Sequence, residues 1–410
     1  MNVTIAILGL ALLILVHEAG HFFTARAVGM SPRRFYLGFP PALVKVKRKG
    51  IEYGIGAIPL GGYVKIPGMH RPAPSDLDVH FGRAREEWPE LAGPIERIKR
   101  LVAEGEMGEA KAQLPELERA VRAAELSPSA AKAAERGLNE LRDALGHDAY
   151  WRQRTWKKVA VIFAGPGTNL LFAILLIAIV YMAGVPSEAS RVVDRVDANS
   201  PAASAGLRPG DEIVAINGKN ATSFEELSAL IRSSKGRPIT VTVRRGEDMV
   251  KLPPQPTRLA DDGRWVFGFR PEVAYKRYGP LESFELAARE SWRVTAAIGG
   301  SLGRIVTGEG RDEISSPVGI VDASSQVIDE GGLRLYLRIL AFISLSLAIL
   351  NLLPLLPLDG GHIAFSLAEG IRGRAISREA YERASAVGIV VVLLLFFVGL
   401  SNDIGGRGSG

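Results

Sequence analysis

Three ionisable residues lie inside an apolar stretch near the start of the chain, in the segment ILVHEAGHFF at positions 14–23. On an α-helix, positions four apart share a face, so His17 and His21 can direct two imidazoles at a single metal ion. Glu18 lies beside them, close to any water molecule that such a metal would hold. This HExxH spacing is typical of hydrolytic zinc sites in which the glutamate is the general base.

The apolar surroundings argue against an incidental role for these residues. The stretch at 3–25 is long enough to span a bilayer, and a charged side chain at the bilayer centre costs about 3 kcal/mol on insertion scales. The alternative role is a polar clamp between helices. Intramembrane ionisable residues are usually functional, so a metal site is the favoured interpretation.

A catalytic zinc ion usually has three protein ligands and a water molecule, so a third ligand is required. The chain has no cysteine, which excludes thiolate ligands and disulfides. Asp359 is the best candidate, because Pro354 and Pro357 in NLLPLLPLDGGH interrupt the preceding apolar helix and let the chain turn. The alternative is that Asp359 caps an ordinary turn. The other histidines are weaker candidates: His70, His80, His147 and His362.

Four stretches are candidates for membrane spans, and the basic residues cluster beside them. The formal net charge is +6, but this clustering favours membrane orientation over nucleic-acid binding. Lys/Arg-rich loops face the cytoplasm, which predicts that both termini lie outside. A secretory signal peptide is disfavoured for the first stretch, because it has no basic start and no small-residue cleavage site. The basic clusters are 26–49, 152–158 and 372–383.

Between the spans, the sequence changes character three times. Residues 35–69 alternate short β-type runs with Gly and Pro, which predicts hairpins. Residues 89–147 are rich in Ala, Leu, Glu and Arg with helical spacing, which predicts two or three cytoplasmic helices. These helices are either a solvated spacer or a docking surface for a partner. Residues 186–272 contain AGLRPGDEIVAINGK followed by a helix and resemble a bacterial PDZ domain, a module that binds peptide ends beside a sheet edge.

The chain resembles the site-2 protease family of intramembrane zinc metalloproteases. The family pairs HExxH in one span with an NxxPxxxLDGG motif in a later one, as found here at 17–21 and 351–361. The segments YGIGAIPLGGYVKIPG, AGPGTNLLFA and SSPVGI are also similar to the family. The position of the PDZ domain resembles the bacterial regulatory branch.

This resemblance implies that His17, His21 and Asp359 are zinc ligands and that Glu18 is the catalytic base. It implies that Asn351 assists catalysis by holding the substrate backbone or the developing oxyanion, whereas Asn169 lies at a family position of less defined role. The expected substrates are single-pass membrane proteins, such as a pre-cut anti-sigma factor or a remnant signal peptide. The expected location is the bacterial inner (plasma) membrane, and no nucleic-acid partner is expected.

Two features depart from the family pattern, namely the helical insert and the presence of one PDZ domain where enterobacterial relatives have two. Neither affects the catalytic set, but both leave substrate choice open. The alternatives are a non-proteolytic metal-binding membrane protein or transporter with a PDZ interaction domain, and a PDZ scaffold whose spans are only anchors. Glu18 beside His17 argues against both, since neither requires a base there.

The fold class predicted from these observations is a polytopic α-helical membrane protein with four spans, a membrane re-entrant β segment, a cytoplasmic helical insert and one extracytoplasmic α+β PDZ domain. A possible peptide-end-binding loop of that domain is placed near 187–190. The predicted segments are 1–34 (first span with HExxH), 35–69 (β segment), 70–158 (cytoplasmic loop with the insert), 159–185 (second span), 186–272 (PDZ domain), 273–333 (extracytoplasmic amphipathic helix and loop), 334–362 (third span with LDGG), 363–383 (cytoplasmic loop), 384–402 (fourth span) and 403–410 (a tail that resembles a cloning remnant).

Overall fold

The computed structural model describes residues 2–260, 263–307 and 315–407. Among these residues, four helices are long and apolar enough to cross a membrane. Their number and order agree with the four predicted spans. They are Asn2–Ala27, Thr155–Ala183, Gly332–Asn351 and Glu379–Ile404.

The chain divides into two compact units. The first contains Met1–Ile177 and Phe284–Gly410, and the second contains Ala178–Ser283. The elements of the first unit are α1 (Asn2–Ala27), β1 (Arg34–Arg48), β2 (Ile51–Lys65), α2 (Pro74–Glu87), α3 (Ala92–Glu104), α4 (Met107–Ala123), α5 (Pro128–Ala144), α6 (Thr155–Ala183), α9 (Pro280–Thr307), α10 (Pro317–Asn351), α11 (Asp359–Arg372) and α12 (Arg378–Arg407). Helices α6 and α9 each cross a boundary between the two units.

The second unit is an α+β domain. Its main sheet has the order β12-β3-β4-β7-β8, with β5 paired to β4, and its core is formed by buried aliphatic side chains together with Phe267. The first and last strands of this unit are antiparallel partners, with Val185 opposite Lys276. The elements are β3 (Val185–Val196), α7 (Pro201–Ser204), β4 (Glu212–Ile216), β5 (Lys219–Asn220), α8 (Phe224–Ser233), β6 (Pro238–Ile239), β7 (Val241–Arg245), β8 (Asp248–Lys251), β9 (Gln255–Pro256), β10 (Arg258–Leu259), β11 (Trp265–Val266) and β12 (Phe269–Lys276).

Small residues allow α1 and α6 to approach closely. A Cβ atom at Gly20 would overlap the Ala164 carbonyl oxygen, and Thr168 Oγ1 donates a hydrogen bond to the Val16 carbonyl oxygen at 3.1 Å. Interfaces between membrane helices favour small residues because close packing and hydrogen bonds hold them together. The contact places the histidine face of α1 directly against α6.

The turn between α10 and α11 interrupts the apolar run, as the two prolines predict. α10 ends at Asn351 and α11 begins at Asp359. Gly360 and Gly361 are required there because a Cβ atom on either would overlap backbone atoms of the turn, those of Leu352 and Leu355 respectively. The turn therefore returns the chain on itself and presents Asp359 in the first turn of a new helix.

The two long strands β1 and β2 bend and pair more than once. Residues 34–37 pair on one side with 52–55 and on the other with 62–65. Among the strands that the structure describes, residues 62–65 therefore form an outer edge of this sheet, which we call the edge segment. Antiparallel pairing is as expected for 35–69; its insertion into a membrane remains a prediction.

Helices α2 to α5 form a small bundle, which we call the four-helix insert. Three of its helices fall within the predicted range of 89–147, and α2 precedes it. The bundle has its own apolar core, to which all four helices contribute side chains. The largest fully buried side chains of this core are Leu77, Phe81, Leu91, Ile95, Ile98, Leu117 and Leu145.

The structure differs from the sequence-based expectation in four segments. The segment 273–333 was expected to end in a loop, but α10 starts within it at Pro317, with a kink at Gly332, where φ is 66°; residues 308–314 lie outside the described residues. α11 occupies part of the expected loop at 363–383, and α12 runs into the expected tail as far as Arg407. The possible peptide-end loop at 187–190 lies within β3, because this stretch pairs with β12.

Candidate metal centre and active site

The histidines of α1 lie side by side, as their spacing predicts. The Nε2 atoms of His17 and His21 are 3.2 Å apart, and the residues are only 8% and 7% exposed. A Cβ atom at position 165 would overlap the His21 ring and approach the His17 ring. Gly165 on α6 therefore leaves the space that both imidazoles occupy.

Asp359, which is far from the two histidines in the sequence, lies beside both of them in the structure. Its Oδ2 atom lies 3.1 Å from His17 Nε2 and 3.4 Å from His21 Nε2. One ligand atom from each of the three residues can be chosen so that all lie within 4.8 Å of one another. Oδ2 is buried and is one of three such side-chain atoms, in the part of the chain that the structure describes, without a hydrogen-bond partner.

Two nitrogens and one carboxylate oxygen are a ligand set that suits zinc. Catalytic zinc sites commonly combine three such protein ligands with one open position. The unpartnered Asp359 Oδ2 directed at two imidazole nitrogens fits a cation between them, because a buried carboxylate oxygen otherwise requires hydrogen-bond donors. The residues present therefore fit the metal.

The far side of each imidazole is also occupied. His21 Nδ1 lies 2.8 Å from the Val161 carbonyl oxygen, to which it can donate a hydrogen bond; this leaves Nε2 as the ligand atom. His17 Nδ1 lies 3.3 Å from Asn169 Nδ2, and Asn169 Oδ1 is buried without a partner. Rotating this amide by half a turn would place Oδ1 as acceptor for His17 Nδ1–H, the tautomer in which Nε2 can bind metal.

Glu18 lies between the metal-ligand candidates and the edge segment. It is 9% exposed, and it lines the same cavity as Val64 of the edge segment. A Cβ atom at Gly62 would lie 2.8 Å from Glu18 Cγ, so the edge segment can approach the glutamate only with glycine at this position. The edge segment therefore packs directly against the candidate base.

A cavity of about 590 Å³ connects these groups. His17, Glu18, His21, Asp359 and Asn351 all line it. The structure therefore brings together the five residues predicted from the motifs. Most of the remaining lining comes from the edge segment with the chain that follows it and from the four-helix insert; Phe39, Ile162, Pro357 and His362 complete it.

The remaining histidines do not join the group of possible metal ligands, which among the described residues consists of His17, His21 and Asp359. His70, His80 and His362 line the cavity, whereas His147 is exposed at the end of the insert.

His362, a weaker ligand candidate in the sequence, forms a pair with Tyr381 beside the site. The His362 ring lines the cavity, and its Nδ1 and Nε2 atoms lie 2.8 and 3.2 Å from the Tyr381 hydroxyl on α12. The available signal was the spacing of His362 three residues after Asp359, which places both on one face of a helix. The contact with Tyr381 had no signal in the sequence.

Comparison with known proteins identifies the family of the chain. A family model described as peptidase family M50 matches residues 5–395. Zinc metalloprotease RasP of Bacillus licheniformis is 31% identical, covering 98% of this chain and 99% of the relative. Regulator of sigma-W protease RasP of Bacillus subtilis is 29% identical, covering 96% of this chain and 95% of the relative. The chain belongs to peptidase family M50, the site-2 proteases, and is a zinc metalloprotease with membrane-spanning helices.

Proposed function

We propose that this protein hydrolyses peptide bonds of single-pass membrane proteins, with His17, His21 and Asp359 as zinc ligands and Glu18 as general base. The observation that carries the assignment is the convergence of two Nε2 atoms and one carboxylate oxygen beside Glu18 in one cavity. The family membership favours this function over a metal-binding transporter or a scaffold.

Each group at the site has a distinct role in peptide-bond hydrolysis. Zinc, when bound, acidifies a water molecule and polarises the peptide carbonyl. The Glu18 carboxylate accepts a proton from the attacking water and returns it to the leaving amide nitrogen. The Asn351 side-chain amide, which faces the same cavity, donates a hydrogen bond to the carbonyl oxygen as negative charge develops on it.

A helical substrate hides its peptide bonds, so it must unwind before cleavage. The edge segment offers backbone groups to an extended peptide, which can add to the sheet as a further strand. Gly62 and Val64 of this segment line the cavity together with Glu18, so a strand added at this edge would pass beside the candidate base.

The substrate class follows from the chemistry and from the relatives. The Bacillus subtilis relative is named as a regulator of sigma-W. By extension, we infer that this protein cuts a single-pass anti-sigma factor already shortened by another protease, or a remnant signal peptide, in the inner membrane. The α+β domain at 178–283 serves as the extracytoplasmic PDZ-type module, and the four-helix insert lies in the cytoplasm.

Metal removal tests the reaction class. The purified protein is incubated with a tagged single-pass substrate before and after treatment with a zinc chelator. We expect cleavage to stop on chelation and to return on addition of Zn²⁺, because the open metal position is required for water activation. Cleavage that persists in fully zinc-depleted protein would contradict the proposal.

Cysteine labelling tests the orientation. The chain has no cysteine, so single cysteines can be introduced at exposed Lys219 in β5 and exposed Lys111 in α4. The label must reach the introduced thiol, which excludes fully buried positions such as Ala110. Because basic loops face the cytoplasm, an impermeant maleimide should label position 219 in intact spheroplasts. Position 111 should react only after lysis. The reverse pattern would refute the orientation.

Deletion of the α+β domain tests whether it restricts substrate entry. Val185 and Lys276 are opposite each other on paired strands, so a short Gly/Ser linker can replace 186–275. A domain of this size has a radius of gyration near ~12 Å, and the chain places it between the spans that carry the two halves of the site. We expect the deletion to accelerate cleavage of a substrate whose ectodomain has not been trimmed.

The competing hypothesis is recruitment by peptide binding. If the domain recruits substrate, the same deletion should slow cleavage of a trimmed substrate and leave the untrimmed substrate uncut. If the folded deletion variant cuts both substrates at the wild-type rate, both hypotheses fail.

A further inference from the structure

The four-helix insert forms one wall of the catalytic cavity. The same cavity is lined by His17, Glu18 and Asp359 and by residues of α2 and α5. A solvated spacer would have no such position. The residues that the insert contributes are Asp76, His80, Gly137, Glu140, Leu141, Asp143 and Ala144.

This wall is fixed to the sheet that carries the edge segment. Arg33 Nε donates to Asp143 Oδ1 at 2.7 Å, and Lys65 Nζ lies 3.5 Å from Asp143 Oδ2. Arg33 also pairs with Asp148 at 3.3 Å. Both aspartates are buried, so loss of Arg33 would leave buried carboxylates without this partner.

Backbone hydrogen bonds reinforce the attachment. The Tyr150 and Trp151 N–H groups donate to the Pro67 and Gly68 carbonyl oxygens at 2.8 and 3.0 Å. A Cβ atom at Gly68 would lie 2.6 Å from Ala149 Cβ, so the two chain segments are in close contact. With its own apolar core, the insert is a preformed boundary of the site.

The charged side chains that line the cavity differ in whether a buried ion pair already occupies them. Asp143 is neutralised by Arg33 and Lys65. The Arg71 guanidinium, which also lines the cavity, lies 5.6 Å from the Trp151 ring centroid. Glu140 contacts His80 Nε2 at 2.9 Å, but its side chain stays 55% exposed. Its carboxylate therefore remains available to a chain that enters the cavity.

The cavity contains the candidate catalytic residues, so the chain that enters it is the substrate. Membrane proteins carry an excess of Lys and Arg in the cytoplasmic segments next to their spans. A single-pass substrate therefore presents a basic flank on the side on which we place the insert. A carboxylate on the cavity wall complements that flank, and complementary charge contributes to specificity.

We propose that the four-helix insert is a specificity element, in which Glu140 of α5, supported by His80 of α2, contacts a Lys or Arg residue on the cytoplasmic flank of the substrate. The proposal rests on the proposed proteolytic function and orientation. It gives a role to a segment that no motif explains.

The test exchanges charge on both partners. Two tagged single-pass substrates differ at their cytoplasmic flank, one with Lys residues and one with Glu residues. Both are incubated with wild-type protein, with Glu140→Lys and with Glu135→Lys, a control at an exposed position of the same helix that does not line the cavity. We expect Glu140→Lys to lower kcat/KM about fivefold for the basic flank and to raise it for the acidic flank, as expected for a partly exposed ion pair. Glu135→Lys should change neither.

Equal effects of the two substitutions, or equal effects of Glu140→Lys on the two substrates, would overturn the proposal. If Glu140→Lys does not accumulate as folded protein, the isosteric Glu140→Gln decides, with a smaller loss of preference expected for the basic flank. Wild-type cleavage that is absent in Glu18→Gln shows that the proteolytic function holds independently. If the wild-type protein cuts neither substrate, the proposed function itself fails.

Discussion

Replacement of Glu18 by glutamine is expected to abolish peptide cleavage while the protein retains its zinc. Glutamine keeps the shape of the side chain, but it cannot accept a proton from water. Loss of a general base typically costs about 10²–10⁴-fold in rate. Glu18 is not among the grouped ligand candidates, so the zinc content should stay at the wild-type level. The measurements are single-turnover cleavage of a tagged substrate and metal analysis of the same preparation.

A conservative variant provides the control for this result. Glu18→Asp keeps the carboxylate but withdraws it by one methylene group, so partial activity is expected, because proton transfer depends strongly on hydrogen-bond reach. Turnover of Glu18→Gln at the wild-type rate would exclude Glu18 as the base. Loss of zinc from Glu18→Gln would instead assign it to the metal site.

Replacement of Asp359 by asparagine is expected to remove zinc as well as activity. The carboxylate supplies the one negative charge among the three grouped residues, and its Oδ2 atom has no hydrogen-bond partner within the described part of the chain. Mutation of partners outside the ligand shell already costs about 10–100-fold in metal affinity, so loss of a ligand should cost more. Zinc retention against a competing chelator measures the effect.

An aspartate outside the site provides a matched comparison. Asp78 of α2 forms an exposed ion pair with Lys99 at 2.7 Å, and Asp78→Asn should leave zinc and activity unchanged, because surface pairs contribute little. If Asp359→Asn holds zinc as tightly as Asp78→Asn, Asp359 is not a ligand. The motif would then be a structural turn, the alternative considered for the sequence.

Periodicity and local chain chemistry were sufficient to predict the centre of the site. The i, i+4 spacing fixes His17 and His21 on one face of α1 whatever surrounds the helix. The prolines before Asp359 had to end α10, because proline removes a backbone donor. The start of α10 was missed although Ser316 and Pro317 form a helix-start signal; the polar and glycine-containing stretch that follows favoured a loop.

No sequence pattern indicated which other residues would line the cavity. Glu140 and Asp359 are separated by more than 200 positions in the sequence, and they line one cavity because α5 is attached to the sheet through Arg33 and Asp143. The Asn169 contact with His17 likewise depends on the close approach of α1 and α6. Such contacts follow from tertiary packing, which local propensity does not encode.

The pairing of Val185 with Lys276 has a consequence for the evolution of the chain. A module whose entry and exit points are neighbours can be gained, lost or duplicated while the flanking helices keep their separation. The catalytic helices therefore need not change when the module between them does. Lineages can thus diversify what the protease responds to while the hydrolytic machinery stays the same.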